Sequence, residues 1–255
     1  MLITSNTNDQ IKNLIQLKEK SKERKKQKCF VVEGIKMYSE IPEDQLVSTY
    51  VSTSFLQKNR ELLENKNYVE VSDSVFSKIS DTVTPQGILA VVKQRMYTID
   101  DILAKEYNGK RCIIVLDRLQ DPGNMGTIIR TGEGAGISGV IMSSDSVDIY
   151  SPKVIRSTMG SIFRVPFVIS SDLCADIETL KKSGITTYAA HLKGEIYNQE
   201  RLDKNLAFLI GNEAKGLSDA VSAKADKLIK IPMAGEVDSL NASIAAAILM
   251  YEATR

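Results

Sequence analysis

The sequence predicts an α/β protein in two parts: a parallel sheet covered on both faces over residues 111–255, preceded by a smaller α/β domain over residues 1–95. Three observations carry that reading. From Arg111 onward, continuous apolar runs (Cys112–Leu116, Val140–Met142, Leu206–Ile210) alternate with helical patterns, as do strands buried on both faces and joined by helices. Before residue 95, short helical and strand patterns alternate on a smaller scale. Finally, 255 residues with 43% hydrophobic and 25% charged side chains fit one large or two small globular domains.

In chain order, Asn8–Lys20 carries Ile11, Leu14, Ile15 and Leu17 at helical spacing, Cys29–Val32 reads as a strand, and Ser54–Glu64 as a helix opened by its serine. Tyr68–Val71 and Ile88–Val92 are further strands. Residues 96–110, ending past Gly109, are the expected linker. Beyond it come the strand Cys112–Leu116, a helix over Asn124–Glu133, the strand Val140–Met142, and a helix that Ser151-Pro152 opens with proline in its first turn. Val165–Ile169 is a strand, Asp172–Lys182 a helix ended by Gly184, and Ile185–Ala190 and Leu206–Ile210 are strands. The last elements are a β-branched run around Ile229 and Ile231, stopped by Pro232, and a helix that Ser239 is placed to cap. From Leu240 to Tyr251 this helix has no charge, so it should be buried all round. At twelve residues it falls short of the roughly 20 a bilayer span takes.

Cys29, Cys112 and Cys174 are odd in number and widely spaced, which supports neither a disulfide framework nor a zinc cluster and points to a reduced, cytoplasmic protein without a metal. The N-terminus lacks the apolar stretch of a secretory signal, and Glu19 and Glu23 set its basic run apart from a transit peptide. Net charge is +1, but residues 12–28 hold eight Lys or Arg against those two acids, a local cationic arm with the charge for nucleic acid or for a plain solvated face.

Ligands of a parallel sheet sit at the carboxyl ends of its strands, and three polar loops fall there. The first, after Asp117, is DPGNMGTIIRTGEGAG: Asn124 can cap, and Asn124, Thr127, Arg130 and Thr131 share one helix face, where Arg130 could simply pair with Glu133. The second, GNEAKG, places Glu213 between Gly211 and Gly216, which let backbone approach a ligand, and leads to a helix capped by Ser218. The third, Met233–Asp238, faces Ser239, Asn241 and Ser243 at the head of the last helix. Gly134-Ala-Gly136-Ile-Ser-Gly139 fits G-x-G-x-x-G, yet it follows a helix and leads into a strand, so it offers no helix N-terminus to a pyrophosphate and a dinucleotide site is rejected.

These three loops, in order, resemble the motifs of the SpoU (TrmH-type) RNA ribose 2′-O-methyltransferases of the SPOUT superfamily: Asn124–Arg130, then Gly211–Leu217, then Ile231–Gly235 with Ser239–Asn241. The match runs from about Ile113 to Arg255, and residues 1–95 resemble more loosely the L30-like RNA-binding domain carried in front, with EGIKMYSE after the strand. The resemblance implies a C-terminal trefoil knot, a homodimer, and S-adenosylmethionine held by Gly211, Ile231 and Leu240 with Met233 and Leu192. It also implies methyl transfer to a ribose 2′-hydroxyl of structured RNA, ribosomal RNA by family analogy. The alternatives are a tRNA 2′-O-methyltransferase and a non-catalytic RNA-binding or ribosome-assembly protein; the presence of Asn124, Arg130, Glu213, Ser239 and Asn241 favours the enzyme. A guanidinium stays protonated, so Arg130 is expected to clamp a phosphate and stabilise a developing alkoxide. Glu213 would orient Arg130, Asn124 would position the ribose, and Ser239 and Asn241 would shape the cofactor loop. His191, the only histidine, is given no role as base. Gly132 and Gly134 stand where the family has alanines, so the first motif helix is expected to end early.

Overall fold

The computed structural model describes residues 2–199 and 201–255. In chain order its elements begin with β1 (Leu2–Ile3), α1 (Asp9–Glu19), α2 (Ser21–Gln27), β2 (Cys29–Glu33), α3 (Ile35–Ser39), β3 (Leu46–Ser52), α4 (Thr53–Lys58), β4 (Val69–Val71), α5 (Asp73–Ile79) and β5 (Ile88–Lys93). They continue with α6 (Ile99–Ala104), β6 (Arg111–Leu116), α7 (Pro122–Ala135), β7 (Gly139–Ser143), α8 (Pro152–Thr158), β8 (Phe167–Ser170), α9 (Leu173–Lys182), β9 (Thr186–Ile196), β10 (Asn205–Ile210), α10 (Asp219–Ser222), β11 (Lys227–Lys230) and α11 (Ala242–Thr254). The chain divides into two compact units, Met1–Arg95 with Asp148–Phe163, and Met96–Val147 with Arg164–Arg255.

The first unit is built on a mixed sheet in the order β1-β4-β3-β5-β2, in which β1, β4 and β3 are parallel and β5 runs antiparallel to β3 and β2. Asn8 caps α1 by accepting from the Gln10 N–H at 2.9 Å, and the helix buries Ile11, Leu14 and Leu17 completely against Val75, Phe76 and Ile79 of α5. The helix expected over residues 54–64 is shorter. It starts one residue earlier, because Ser52 caps it through the Phe55 N–H at 3.1 Å, and it stops at Lys58, where the Asn59 amide bonds back to the Phe55 carbonyl at 3.2 Å. Residues 148–163, expected with the second domain, pack in this unit, with Phe30 against the rings of Tyr150 and Phe163 at 4.9 and 6.3 Å. Two members of the cationic arm turn inward as well. Arg24 is 4% exposed, donating to the carbonyls of Leu17 and Lys18 at 2.7 Å and to Asp148 at 2.6 and 2.9 Å, and Lys18 pairs with Asp81 at 3.1 Å.

The second unit carries a six-stranded sheet in the order β11-β9-β10-β6-β7-β8, parallel throughout as the apolar runs predict, so all six carboxyl ends share one edge. Residues 96–110 contain α6, opened by a Thr98–Asp101 capping box, and its Ile102 lies fully buried in this unit's core.

β9 and β11 pair on either side of an interruption: Leu228 is opposite Ala189, and the next residue, Ile229, is opposite Glu195. Residues 190–194 of β9 therefore bulge out of the ladder. Gly194 closes the bulge, since a Cβ there would stand 2.4 Å from the Ile229 nitrogen. Among the described residues, no helix is long and apolar enough to cross a membrane.

Candidate active site

Asp121 caps α7, accepting from the Asn124 N–H at 2.7 Å, with Pro122 in the first turn. The cap expected at Asn124 is thus supplied three residues earlier, which frees the Asn124 side chain for the interior, where it is 7% exposed. Its amide nitrogen donates to Glu213 Oε1 at 3.0 Å, and its oxygen accepts from the Asn241 amide at 2.9 Å. Glu213 also accepts from the backbone N–H groups of Gln120 and Asp121 at 3.1 and 3.0 Å. Asn241, in turn, accepts from the Ser243 N–H at 2.9 Å, the Ser243 hydroxyl at 2.6 Å and the Ile244 N–H at 3.3 Å, and so caps α11 in place of Ser239, which lies in an exposed loop. One hydrogen-bonded chain, Glu213–Asn124–Asn241–Ser243, thereby ties the heads of all three loops together at the carboxyl edge.

Burial raises the Glu213 carboxyl, and the bonds from Asn124 and the two backbone N–H groups outweigh it, holding the group below its ordinary value. These bonds occupy both carboxylate oxygens, so within the chain Glu213 fastens the start of α7 instead of orienting Arg130. Arg130 lies two turns further along α7, exposed, with no hydrogen bond or ion pair among the described residues. The pairing it could have made is taken: Glu133 binds Arg164.

Beneath this chain lies a second tie that the sequence did not single out. Asp117, 3% exposed at the end of β6, accepts from the N–H and hydroxyl of Ser218, both at 2.7 Å, and from the Arg118 guanidinium at 3.0 Å. Ser218 was expected to cap a helix; its hydroxyl serves Asp117, and α10 is a single turn. Arg118 adopts a left-handed φ of 58°, held by the Ser143 hydroxyl on its N–H at 2.8 Å and the Asn212 amide on its carbonyl at 2.8 Å. The available signal was an acid directly after a buried strand, which must find partners. Gln120, Asp121, Pro122, Asn212, Glu213 and Ala214 line an open depression of about 460 Å³.

Three of the residues expected to hold the cofactor follow strands at the same edge. Gly211 comes directly after β10, Ile231 directly after β11, and Leu192 lies in the bulge that follows Ala189 in β9. Gly211 admits no side chain: a Cβ would lie 2.1 Å from the Gly216 carbon and the Leu217 nitrogen, in a loop closed by Asn212–Gly216 backbone bonds of 3.0 and 2.9 Å. Leu192 is 69% exposed, and Ile231, Met233 and Leu240 are only partly covered. Incompletely covered apolar side chains beside a bare backbone loop fit a ligand with an adenine ring and an aliphatic thioether chain such as S-adenosylmethionine. Among the described residues, no group of three or more His, Cys, Asp or Glu is placed to hold a metal ion.

The chain is similar to known proteins along nearly its whole length. Residues 111–251 match the SpoU rRNA Methylase family, and residues 8–90 match the MRM3-like substrate binding domain. The 23S rRNA (guanosine(2553)-2′-O)-methyltransferase RlmP of Bacillus subtilis is 32% identical over 98% of this chain and 97% of its own length. The AdoMet-bound rRNA methyltransferase of Sinorhizobium meliloti superposes with a TM-score of 0.84 at 29% identity, covering 99% of this chain and 97% of that one. The SpoU methyltransferase AviRb of Streptomyces viridochromogenes, in complex with AdoMet, superposes with a TM-score of 0.83 at 26% identity over 97% of each chain.

Proposed function

The chain belongs to the SpoU rRNA Methylase family and is an S-adenosylmethionine-dependent RNA 2′-O-methyltransferase, and from that premise we propose that it methylates a ribose of ribosomal RNA through Arg130. The observation that carries the site is the Glu213–Asn124–Asn241 chain, which joins the three loops where substrate and donor must meet. Bound S-adenosylmethionine supplies a methyl group on a sulfonium, already activated for displacement. The protein's own part is alignment and charge. Arg130, exposed and without a partner among the described residues, holds the phosphate next to the target ribose and stabilises negative charge on the 2′-oxygen. Asn124 uses both ends of its amide on Glu213 and Asn241, so it acts by fixing the start of the helix that presents Arg130. Gly211, Ile231, Leu240, Met233 and Leu192 form the donor site, and Ser239 closes the loop over it.

Two family features complete the reading. A trefoil knot is supported by the path of the chain, which leaves β11 at the sheet edge and returns to pack α11 on α7, β10 and β6. A homodimer is supported by α11 itself, because the helix expected to be buried all round leaves Ile244 50% and Tyr251 55% exposed, with Ile248 only partly covered between them. That stripe needs a cover, and Tyr251 lies beside Gly134, one turn beyond Arg130. A ribosomal RNA substrate supports a cytoplasmic location.

The test pairs two measurements. Mapping 2′-O-methyl groups across total RNA with and without the gene should reveal one lost ribosomal position; loss only in tRNA would overturn the choice of substrate. Arg130→Ala should lower the methylation rate about 10²–10³-fold while leaving the affinity for S-adenosylmethionine within about twofold. A variant methylating at nearly the wild-type rate would remove Arg130 from the mechanism.

A further inference from the structure

The function proposed above uses the carboxyl edge of the second unit and leaves the cationic arm of the first unit unexplained. Of the eight basic residues between 12 and 28, Arg24 and Lys18 turn inward to Asp148 and Asp81, and Lys12 pairs with Asp9 at 3.4 Å. The five that remain, Lys20, Lys22, Lys25, Lys26 and Lys28, are all exposed, and among the described residues none has an ion-pair partner. Their placement follows from α2. Arg24 anchors one side of this helix in the interior, so Lys22, Lys25 and Lys26, spaced by three and four, share the side that faces solvent. Lys28 follows as the helix cap, with a left-handed φ of 51°. Register then adds a sixth cation, because β2 is an edge strand and its Cys29 pairs with Lys93 of β5, also exposed. Only Glu19 and Glu23 interrupt the patch, in a chain whose net charge is +1.

We propose that the solvent face of α2, with Lys22, Lys25 and Lys26 at its centre and Lys20, Lys28 and Lys93 around it, is a phosphate-binding surface that grips the RNA substrate. The inference rests on RNA being the substrate. A solvated helix face is the ordinary fate of a lysine run, but such faces usually alternate charge, and like charges three and four residues apart disfavour an isolated helix. A helix of seven residues that keeps three of them together, fixed from behind by a buried arginine, is suited to a polyanion. Lysines at this spacing make point contacts to phosphates and read no base, so the surface contributes affinity and register while the choice of nucleotide stays with the active site.

The test uses the full-length protein, the ribosomal RNA fragment carrying the mapped position, and a triple variant, Lys22→Gln with Lys25→Gln and Lys26→Gln. In the triple variant RNA affinity at about 0.1 M salt should fall about tenfold or more, and the slope of log Kd against log salt should flatten by about 2 to 3. Affinity for S-adenosylmethionine should stay at the wild-type value, and replacing the three lysines by arginine should retain RNA binding. Unchanged affinity and slope in the glutamine variant, with wild-type methylation intact, would overturn the surface and leave the enzyme assignment standing. A wild-type protein that binds no RNA would overturn both. Loss of binding to anionic lipid vesicles with RNA binding unchanged would give the surface to a membrane and overturn the proposal.

Discussion

Asn124 is held at both ends of one amide, a donor toward Glu213 and an acceptor from Asn241, and this fixes what can replace it. Aspartate has the same shape but no donor, and it would set a second carboxylate against Glu213. Glu213 itself accepts from three N–H groups, so its folded carboxyl titrates below the ordinary value of 4.5. A carboxyl depressed in the folded state stabilises the protein above its unfolded pKa, and that contribution is lost as pH falls through the folded value. Glu213→Gln offers donors where donors already point. It should cost about 1 kcal/mol at pH 7, a modest figure because the group is partly exposed, and the gap to wild type should narrow as the pH falls and the carboxylate takes up its proton. Urea midpoints across pH check this; a gap independent of pH would mean the carboxylate charge plays no part. Asn124, Glu213 and Asn241 were each legible as polar residues in loops that follow buried strands or lead into a buried helix. Their bonds to one another were not, because spacing rules describe neighbours within a turn or a strand, and Asn124 and Asn241 stand 117 positions apart.

At the scale of elements, α7 shows how tertiary packing overrides helix propensity. The two glycines were expected to end the helix early, yet it runs to Ala135 and stops at Gly136, whose φ of 76° makes the left-handed cap. Close packing accounts for Gly132 but not for Gly134. A Cβ on Gly132 would stand 2.3 Å from Cδ1 of Ile137, which is 1% exposed, and 3.5 Å from the Met250 sulfur, whereas one on Gly134 would meet only the Tyr251 hydroxyl at 3.3 Å. Alanine improves an exposed helix by about 1 kcal/mol over glycine, and overpacking a core costs about 1–3 kcal/mol. Gly134→Ala should therefore stabilise the protein and Gly132→Ala destabilise it, a pair of opposite signs that chemical denaturation would resolve; equal shifts would contradict the packing account. β6, β7, β8 and β10 were legible within a few residues because each is centred on a continuous apolar run. β3 carries no such signal because Ser48, Thr49 and Ser52 break up its apolar pattern although it lies inside its sheet, and the bulge at residues 190–194 hides the second half of β9. The start of α11 was misplaced by two residues because Ser239 and Asn241 are both good caps, and the bond to Asn124 decides between them.

For the whole molecule, the apolar stripe on α11 makes the state of assembly measurable. Ile244→Asp puts a charge at a position 50% exposed in the single chain, so the fold should survive while a dimer should sediment as a monomer. An unchanged dimer would assign the interface elsewhere. The two-part plan was legible from composition and periodicity, but the grouping of residues 148–163 with the first unit was not, since nothing in their pattern separates them from the segments on either side. The link between Asn124 and Asn241 has one further consequence, for biosynthesis. As the chain leaves the translating ribosome, most of the parallel sheet and the helix bearing Arg130 emerge before the residue that completes the hydrogen-bonded chain. A polypeptide that has not yet reached Asn241 therefore lacks the closing contact, and RNA modification is expected only after that residue has emerged.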